Sequence, residues 1–224
     1  MRIVSLVPSI TETLSAWNRE PIACTRFCER PDLAHVGGTK DPKLDRIVEL
    51  NPDLVVMDAE ENRLEDYSAL IERGLNVHVL RVRSLRDVNP SMTDLARRVD
   101  ASWEPLDLAP PALTFMCAFI PIWRRPWMAL GSPTYGSSVL AQLGVANVFE
   151  GEGPYPTIDL SEATDRRPDV VLAPSEPYPF TARQLPELET VAPTTFLDGR
   201  DLFWWGERTR VALDRLAEVL VALR

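Results

Sequence analysis

The strongest constraint on the fold is a phrase that occurs twice. Residues 51–57 read NPDLVVM and residues 167–173 read RPDVVLA. In each, a proline stops a helix and pushes the residue before it out of the helical region. An aspartate then turns the corner, and a β-branched run enters a sheet. Before the first phrase, Asp41-Pro42 opens a helical segment whose Leu44, Ile47, Val48 and Leu50 share one face. Before the second, Ser161 opens a shorter helix. Strands at 77–82 and 194–197 are expected to close each half.

A second parallel runs beside the first. Ile3 to Val7 reads as a buried strand, followed by Pro8 and Ser9 and then a helix from Ile10. Ser9 is placed to cap that helix, with Glu12 completing a capping box. Residues 127–130 read as another short apolar strand, followed by Ser132, Pro133 and a helix. Pro133 suits a first helical turn, and Gly144 stands where a helix should stop. Any α/β chain contains some such phrases; two matched series point further, to duplicated lobes. The expected architecture is therefore α/β: two Rossmann-like lobes with mostly parallel sheets, joined by a helical connector, with a ligand cleft between the lobes. The N-terminal lobe spans 1–88 and the connector 89–111, where Met92, Leu95, Ala96 and Val99 have helical spacing. The C-terminal lobe spans 112–224.

Bulk properties exclude several functions. The 224 residues carry a formal net charge of -9, which repels phosphate backbones and argues against nucleic-acid binding. The longest apolar run, 113–122, is too short to span a bilayer, so no membrane insertion is expected. Three cysteines, Cys24, Cys28 and Cys117, cannot all pair, which argues against a disulfide framework. Cys24, Cys28 and His35 have spacing too loose for a convincing metal site, and two buried or spare thiols is the preferred reading. No charged n-region, long apolar h-region or lipobox cysteine stands at the start. The sequence as it stands reads as cytoplasmic, and as periplasmic or cell-surface if a leader has been removed. There is no nucleophile elbow and no Gly-rich phosphate loop, and the chain holds only two histidines. An enzyme is not expected, and no catalytic residue is assigned. An acid–base pair, if one existed, would have to come from Asp58, Glu61 or Glu176.

The loops after the expected strands are where a ligand would be met. Residues 174–180, PSEPYPF, are stiffened by proline and carry Glu176 and Tyr178; they suit either a rigid ligand-facing loop or a plain surface turn. Residues 121–127, PIWRRPW, place Arg124 and Arg125 between Trp123 and Trp127. The arginines can stack on rings or clamp an anion, or the stretch can be a hairpin tip with an exposed basic pair. Phe203, Trp204 and Trp205 form a third aromatic cluster, in which at least one tryptophan is expected in the core.

Taken together, RIVSLVPSITETL, VGGTKDPKLDRIVELNPDLVV, EENR, PIWRRPWMALG and SEPYPF resemble the class III substrate-binding proteins of ABC importers, nearest to the cobalamin-binding type with a helical backbone between lobes. The resemblance covers nearly the whole chain. It implies a non-enzymatic binder with no intrinsic cofactor, taking cobalamin or a related corrinoid. A ferric siderophore or haem-type chelate is the alternative. Carried over by position, the first lobe would offer Ser9, Arg26, Phe27, Asp58, Glu61 and Asn62. The second would offer Trp123, Arg124, Arg125, Trp127, Tyr135, Glu176, Tyr178, Phe203, Trp204 and Trp205. An ABC permease is the implied partner, and Glu65 is the candidate acidic contact for it.

Overall fold

The computed structural model describes residues 1–223. The chain divides into two compact units. The first comprises Met1–Val82, Arg86–Leu106 and Trp205–Arg208; the second comprises Arg83–Leu85, Asp107–Trp204 and the chain from Thr209 onward.

In the first unit the elements run β1 (Ile3–Ser5), α1 (Pro8–Ala16), β2 (Ala23–Cys24), β3 (Ala34–His35), α2 (Leu44–Glu49), β4 (Leu54–Asp58), α3 (Leu64–Glu72), β5 (Val77–Leu80) and α4 (Val88–Arg98). The five strands form one sheet in the order β3-β2-β1-β4-β5, with every pairing parallel. Val4, Leu6, Val55 and Met57 pack with Ile47 of α2 and Leu70 of α3 into one core.

Three local expectations need correction here. Helix α1 begins at Pro8, with Val7 extended at φ -136 as its N-cap. Proline fits the first helical position because its missing N–H has no partner there anyway. Ser9 therefore lies inside the first turn and is buried, and no side chain caps the helix. Glu12, freed from a capping box, pairs through both carboxylate oxygens with Arg208. Helix α2 starts only at Leu44, because Lys43 still donates its backbone N–H to Val36 at 2.7 Å. One consequence is that Val48 is exposed, while Ile47 is buried and Leu44 and Leu50 lie at the core's margin.

The second unit continues with β6 (Met116–Phe119), β7 (Pro121–Trp123), β8 (Trp127–Ala129), α5 (Tyr135–Gln142), β9 (Val145–Asn147), β10 (Thr157–Ile158), α6 (Leu160–Asp165), β11 (Val170–Pro174), α7 (Leu185–Leu188), β12 (Thr194–Leu197), α8 (Gly199–Phe203) and α9 (Arg208–Val221). A parallel sheet has the order β12-β11-β6-β9. A second, antiparallel sheet has the order β10-β8-β7. Phe119, Ala129, Phe149, Val171 and Ala173 form the centre of this core. Thr134 caps α5, accepting from Ser137 N, so Pro133 stands outside the helix. Asp159 and Glu162 build a capping box on α6, which places Ser161 within the first turn. Gly144, at φ +82, follows the end of α5.

The repeated phrase has a repeated geometry. Asn51 before Pro52 takes φ 43, and Arg167 before Pro168 takes φ 51. Asp53 then closes a two-way clamp on the start of β1: its N–H donates to Arg2 O at 2.8 Å, and its Oδ2 accepts from Arg2 N at 2.6 Å. Asp169 does the same to β6, donating to Cys117 O at 2.8 Å and accepting from Cys117 N at 2.7 Å. The strand equivalent to β1 is thus β6. The parallel between residues 3–9 and 127–133 is corrected accordingly. Residues 127–129 follow a tight turn and pair antiparallel with β7 and β10, so they never enter the parallel sheet. Residues 89–111, expected as a connector, divide at Leu106: α4 buries Met92, Leu95 and Ala96 in the first unit, and the chain from Asp107 belongs to the second.

Each aspartate supplies a charge-assisted bond to a strand N–H, so Asp53→Ala and Asp169→Ala should each cost about 1–2 kcal/mol. Urea unfolding of the two single variants and the double variant checks this; an unchanged midpoint in both single variants would contradict the clamp.

Candidate functional site

Four aromatic rings come together on the second unit. The stretch PIWRRPW is the β7–β8 hairpin, with Trp123 ending one strand and Trp127 starting the other. Arg125 at φ 72 and a cis Arg125–Pro126 bond make its tip. The loop after β11 delivers Tyr178 and Phe180 to the same place. Trp123 meets Tyr178 edge-on, with ring centroids 5.7 Å apart at 77°. Tyr178 and Phe180 are 4.7 Å apart, and Phe180 stacks on Trp127 at 6.0 Å and 6°. These distances are those of favourable aromatic pairs, each worth about 1 kcal/mol beyond the area it buries. The row runs from the core outward: Phe180 is buried, Trp127 and Tyr178 are partly buried against the core, and Trp123 keeps 44% of its surface exposed.

The two arginines of the hairpin are not equivalent. Arg124 donates Nε to Glu187 of α7 at 3.0 Å and makes a second bond to the same carboxylate. Its guanidinium carbon lies 6.0 Å from the Trp127 ring. The Glu187 carboxylate raises Arg124 further above the usual guanidinium value, and the Tyr178 hydroxyl adds to this. Arg124 is therefore a brace for the ring row. Arg125 is exposed and has no ion pair or hydrogen bond among the described residues. A charged donor set left open to solvent at the hairpin tip can take an anionic group of a bound molecule.

The backbone under the row is fixed. Glu176, partly buried, precedes a cis Glu176–Pro177 bond. Gly199 at the start of α8 lies so close that a Cβ there would stand 2.6 Å from Glu176 N and 2.8 Å from its O. Gly199 N also donates to Ser175 Oγ at 3.0 Å. Phe203 and Trp204, at the end of α8, are half-buried. Trp205, in the first unit, is buried, and Tyr135 is only 5% exposed, its hydroxyl 3.1 Å from Thr209 Oγ1. Burial raises the Tyr135 phenol well above its ordinary value. Tyr135 and Trp205 thus present almost no surface to a ligand.

On the first unit, Arg26 and Phe27 form an exposed turn. Arg26 clamps Asp41 through two bonds of 2.9 and 3.0 Å and lies 4.7 Å over the Phe27 ring, which is 51% exposed. Asp41 is held below the usual carboxylate range by that guanidinium. The loop after β4 is tied by side-chain bonds. Asn62 Oδ1 accepts from Asp58 N at 2.8 Å, and Nδ2 donates to Leu6 O at 3.2 Å and Thr39 O at 3.0 Å. Asp58 Oδ1 accepts from Glu60 N and Glu61 N. Burial pushes the Asp58 carboxyl up. The fold does bring Asp58 and Glu61 together, but Asp58 is only 2% exposed, so a substrate could not reach it. Asp58 and Asn62 hold the loop's shape, and Glu61 and Glu65 are its exposed acids, Glu65 in the first turn of α3. His78 is buried in β5 with Nε2 3.5 Å from Asp94, which makes it part of the unit's interior. Among the described residues no group of three or more His, Cys, Asp or Glu side chains could hold a metal ion.

Two contributors went unread in the sequence. Phe180 reads in sequence as the end of a loop, although it joins Tyr178 to Trp127. Glu187 carries no local signal at all, because its partner lies 63 positions away.

No protein-family model matches the chain. Among curated proteins, the vitamin B12-binding protein of Vibrio vulnificus is 23% identical over 190 residues, covering 76% of this chain and 70% of the relative. Among solved structures, the periplasmic vitamin B12 binding protein of Vibrio cholerae superposes with a TM-score of 0.75 at 18% identity, covering 99% of this chain and 97% of its own. A periplasmic heme binding protein from Pseudomonas aeruginosa gives 0.77 at 17% identity, covering 97% and 91%. The chain has the fold of the class III substrate-binding proteins. No described helix of this binding-protein fold is long and apolar enough to cross a membrane.

Removing Asn62 breaks three bonds in a buried place and leaves two carbonyls and one N–H without partners. Asn62→Ala is expected to lose about 3 kcal/mol in urea unfolding; a loss under about 1 kcal/mol would mean the loop is held by something else.

Proposed function

We propose that this chain is a non-enzymatic binding protein for cobalamin or a related corrinoid, and that the row Trp123–Tyr178–Phe180–Trp127 is its principal ligand contact on the second unit. The row is the observation that carries the reading. A ring anchored in the core, followed by rings of increasing exposure, offers a stiff apolar surface that loses little entropy when a large macrocycle is laid against it. Curated relatives named as vitamin B12-binding proteins support the corrinoid assignment. The exposed Arg26–Phe27 turn and Glu61 on the first unit, and Glu176, Phe203 and Trp204 on the second, are the further proposed contacts. Tyr135, Trp205, Asp58, Asn62 and Ser9 support the loops from within. An ABC permease is the proposed recipient of the ligand, with Glu65 as a contact.

Arg125 favours a second reading. An exposed guanidinium at the tip of the Trp123–Trp127 hairpin suits a macrocycle that carries carboxylates, and solved neighbours include heme-binding proteins. A reading led by arginines alone is weaker, because Arg26 and Arg124 are each already held by a carboxylate.

Thermal-shift titration against cobalamin, cobinamide, haem and a ferric siderophore separates these readings. A ligand at one hundred times its Kd stabilises the folded chain by about 2.7 kcal/mol, which gives a clear shift. The corrinoids are expected to raise the melting temperature saturably, and Arg125→Gln is expected to leave that rise intact. A rise with haem or siderophore only, lost in Arg125→Gln, would replace the corrinoid assignment with the anionic chelate.

A further inference from the structure

The Arg26–Phe27 turn stands on a buried chain of hydroxyl and thiol groups. Thr25 is fully buried and Cys28 keeps 5% of its surface, while Arg26 and Phe27 between them are exposed. Cys28 N closes the turn on Thr25 O at 3.2 Å, and Arg26 N donates to Gly37 O at 2.8 Å. Beneath the turn, Phe27 N donates to Thr25 Oγ1 at 3.3 Å, and Thr25 Oγ1 lies 3.1 Å from Cys28 Sγ. Cys28 Sγ lies 3.2 Å from Thr11 Oγ1 of α1, which is 2.9 Å from Ser5 Oγ of β1. Ser5 Oγ ends the chain on Val7 O at 3.1 Å. Ser5 and Thr11 are both fully buried. Thr11 Oγ1 is also 3.1 Å from Val7 O, but that carbonyl already takes Thr11 N–H at 3.0 Å and the Ser5 hydroxyl, which uses both its lone pairs. The hydrogens then fall into one order: Thr25 donates to Cys28, Cys28 to Thr11, Thr11 to Ser5 and Ser5 to Val7. In that order each hydroxyl and the thiol donate once and accept once. Bonds running head to tail in a low-dielectric interior strengthen one another.

We propose that Thr11 and Cys28 are positioning residues for Phe27: their bonds seat the Arg26–Phe27 turn on α1 and hold the ring still as a platform for the ligand. The proposal rests on the reading of Phe27 as a first-unit ligand contact. Arg26 completes the arrangement from the solvent side. Its guanidinium is clamped by Asp41 and lies 4.7 Å over the Phe27 ring, so one face of the ring is propped, and the residue still keeps 51% of its surface open. A ring fixed before a ligand arrives loses little entropy when the ligand covers it. Thr11 and Thr25 have no surface of their own to offer a ligand, so they act through the turn. An apolar side chain at position 11 would fill the same space. It could not bond the Cys28 sulfur, which is the link that joins the turn to the helix.

Hydrogen exchange of the whole chain, followed by NMR at the Phe27 and Cys28 amides, tests the chain of bonds without any ligand. Thr11→Val keeps the shape of the side chain and removes its hydroxyl. Both amides are then expected to exchange about tenfold faster, while Val55 N, bonded to Asn76 O at 2.9 Å in the sheet, keeps its rate. Thr11→Ser retains the hydroxyl and is expected to restore slow exchange. Cys28→Ala breaks the neighbouring link and is expected to reproduce Thr11→Val, so that one poorly folded variant does not decide the result. Calorimetric titration with cobinamide reads the consequence for binding: Kd is expected to rise about fivefold in Thr11→Val and to return in Thr11→Ser. Unchanged exchange at both amides in Thr11→Val and Cys28→Ala would overturn the proposal. So would faster exchange with an unchanged Kd, because the turn would then be loosened at no cost to binding. A natural chain that binds no cobinamide sinks the corrinoid reading alone, and the exchange rates still decide whether Thr11 and Cys28 position the turn.

Discussion

The aspartate clamp on the edge of a strand underlies both units. Asp53 and Asp169 each bind both backbone groups of the residue at the start of the neighbouring strand, Arg2 and Cys117. That contact fixes the register of β1 against β4 and of β6 against β11, the central pairs of the two parallel sheets. A slip by one residue would turn each strand's apolar set onto the wrong face. With the register fixed, the loops at the carboxyl ends of β1, β4 and β11 have fixed origins, and ligands of α/β folds favour that end of the sheet.

What holds those loops differs between the units, and this decides what each can offer. In the first unit the loop after β4 is tied by Asn62 to two other segments, and Asp58 is spent on the loop's own N–H groups. Its polar side chains are largely used up internally. In the second unit the loop after β11 is held from beneath by Gly199 and from the side by the rings of the hairpin. Tyr178 is left partly facing outward as apolar surface, while Phe180 stays buried beneath it. A stiff aromatic face with one free cation suits the binding of a large flat molecule far better than it suits proton transfer. The nearest approach to an acid–base pair, Asp58 with Glu61, is closed off by the burial of Asp58.

The phrases built on proline were the legible part of the sequence. NPDLVVM and RPDVVLA predicted two parallel sheets, and the strand at 194–197 falls where it was expected. Proline was also where reading failed. Pro8 and Pro133 look alike after a short apolar run, yet Pro8 opens a helix and Pro133 stands before a threonine cap. A residue able to cap follows each proline, yet only Thr134 caps, and Ser9 lies inside the first turn of α1. The antiparallel sheet was hidden for a similar reason, because residues 127–129 have the composition of a parallel strand and differ only in what they pair with. At the candidate site, the aromatic residue types were visible but their pairings were not. Tyr135 and Tyr178 are indistinguishable by composition, and one is sealed in the core while the other joins the ring row. Arg124 and Arg125 are adjacent in sequence, and only the distant Glu187 makes them different.

Calorimetric titration with cobinamide, comparing the natural chain with the double variant Trp123→Ala/Tyr178→Ala, tests the role of the ring row most directly. If the row is the principal contact, the natural chain binds one ligand per chain, and the double variant loses at least 2 kcal/mol, about thirtyfold in Kd, while still unfolding cooperatively in urea. Equal affinity in a folded double variant, or no heat of binding from either chain, would contradict it.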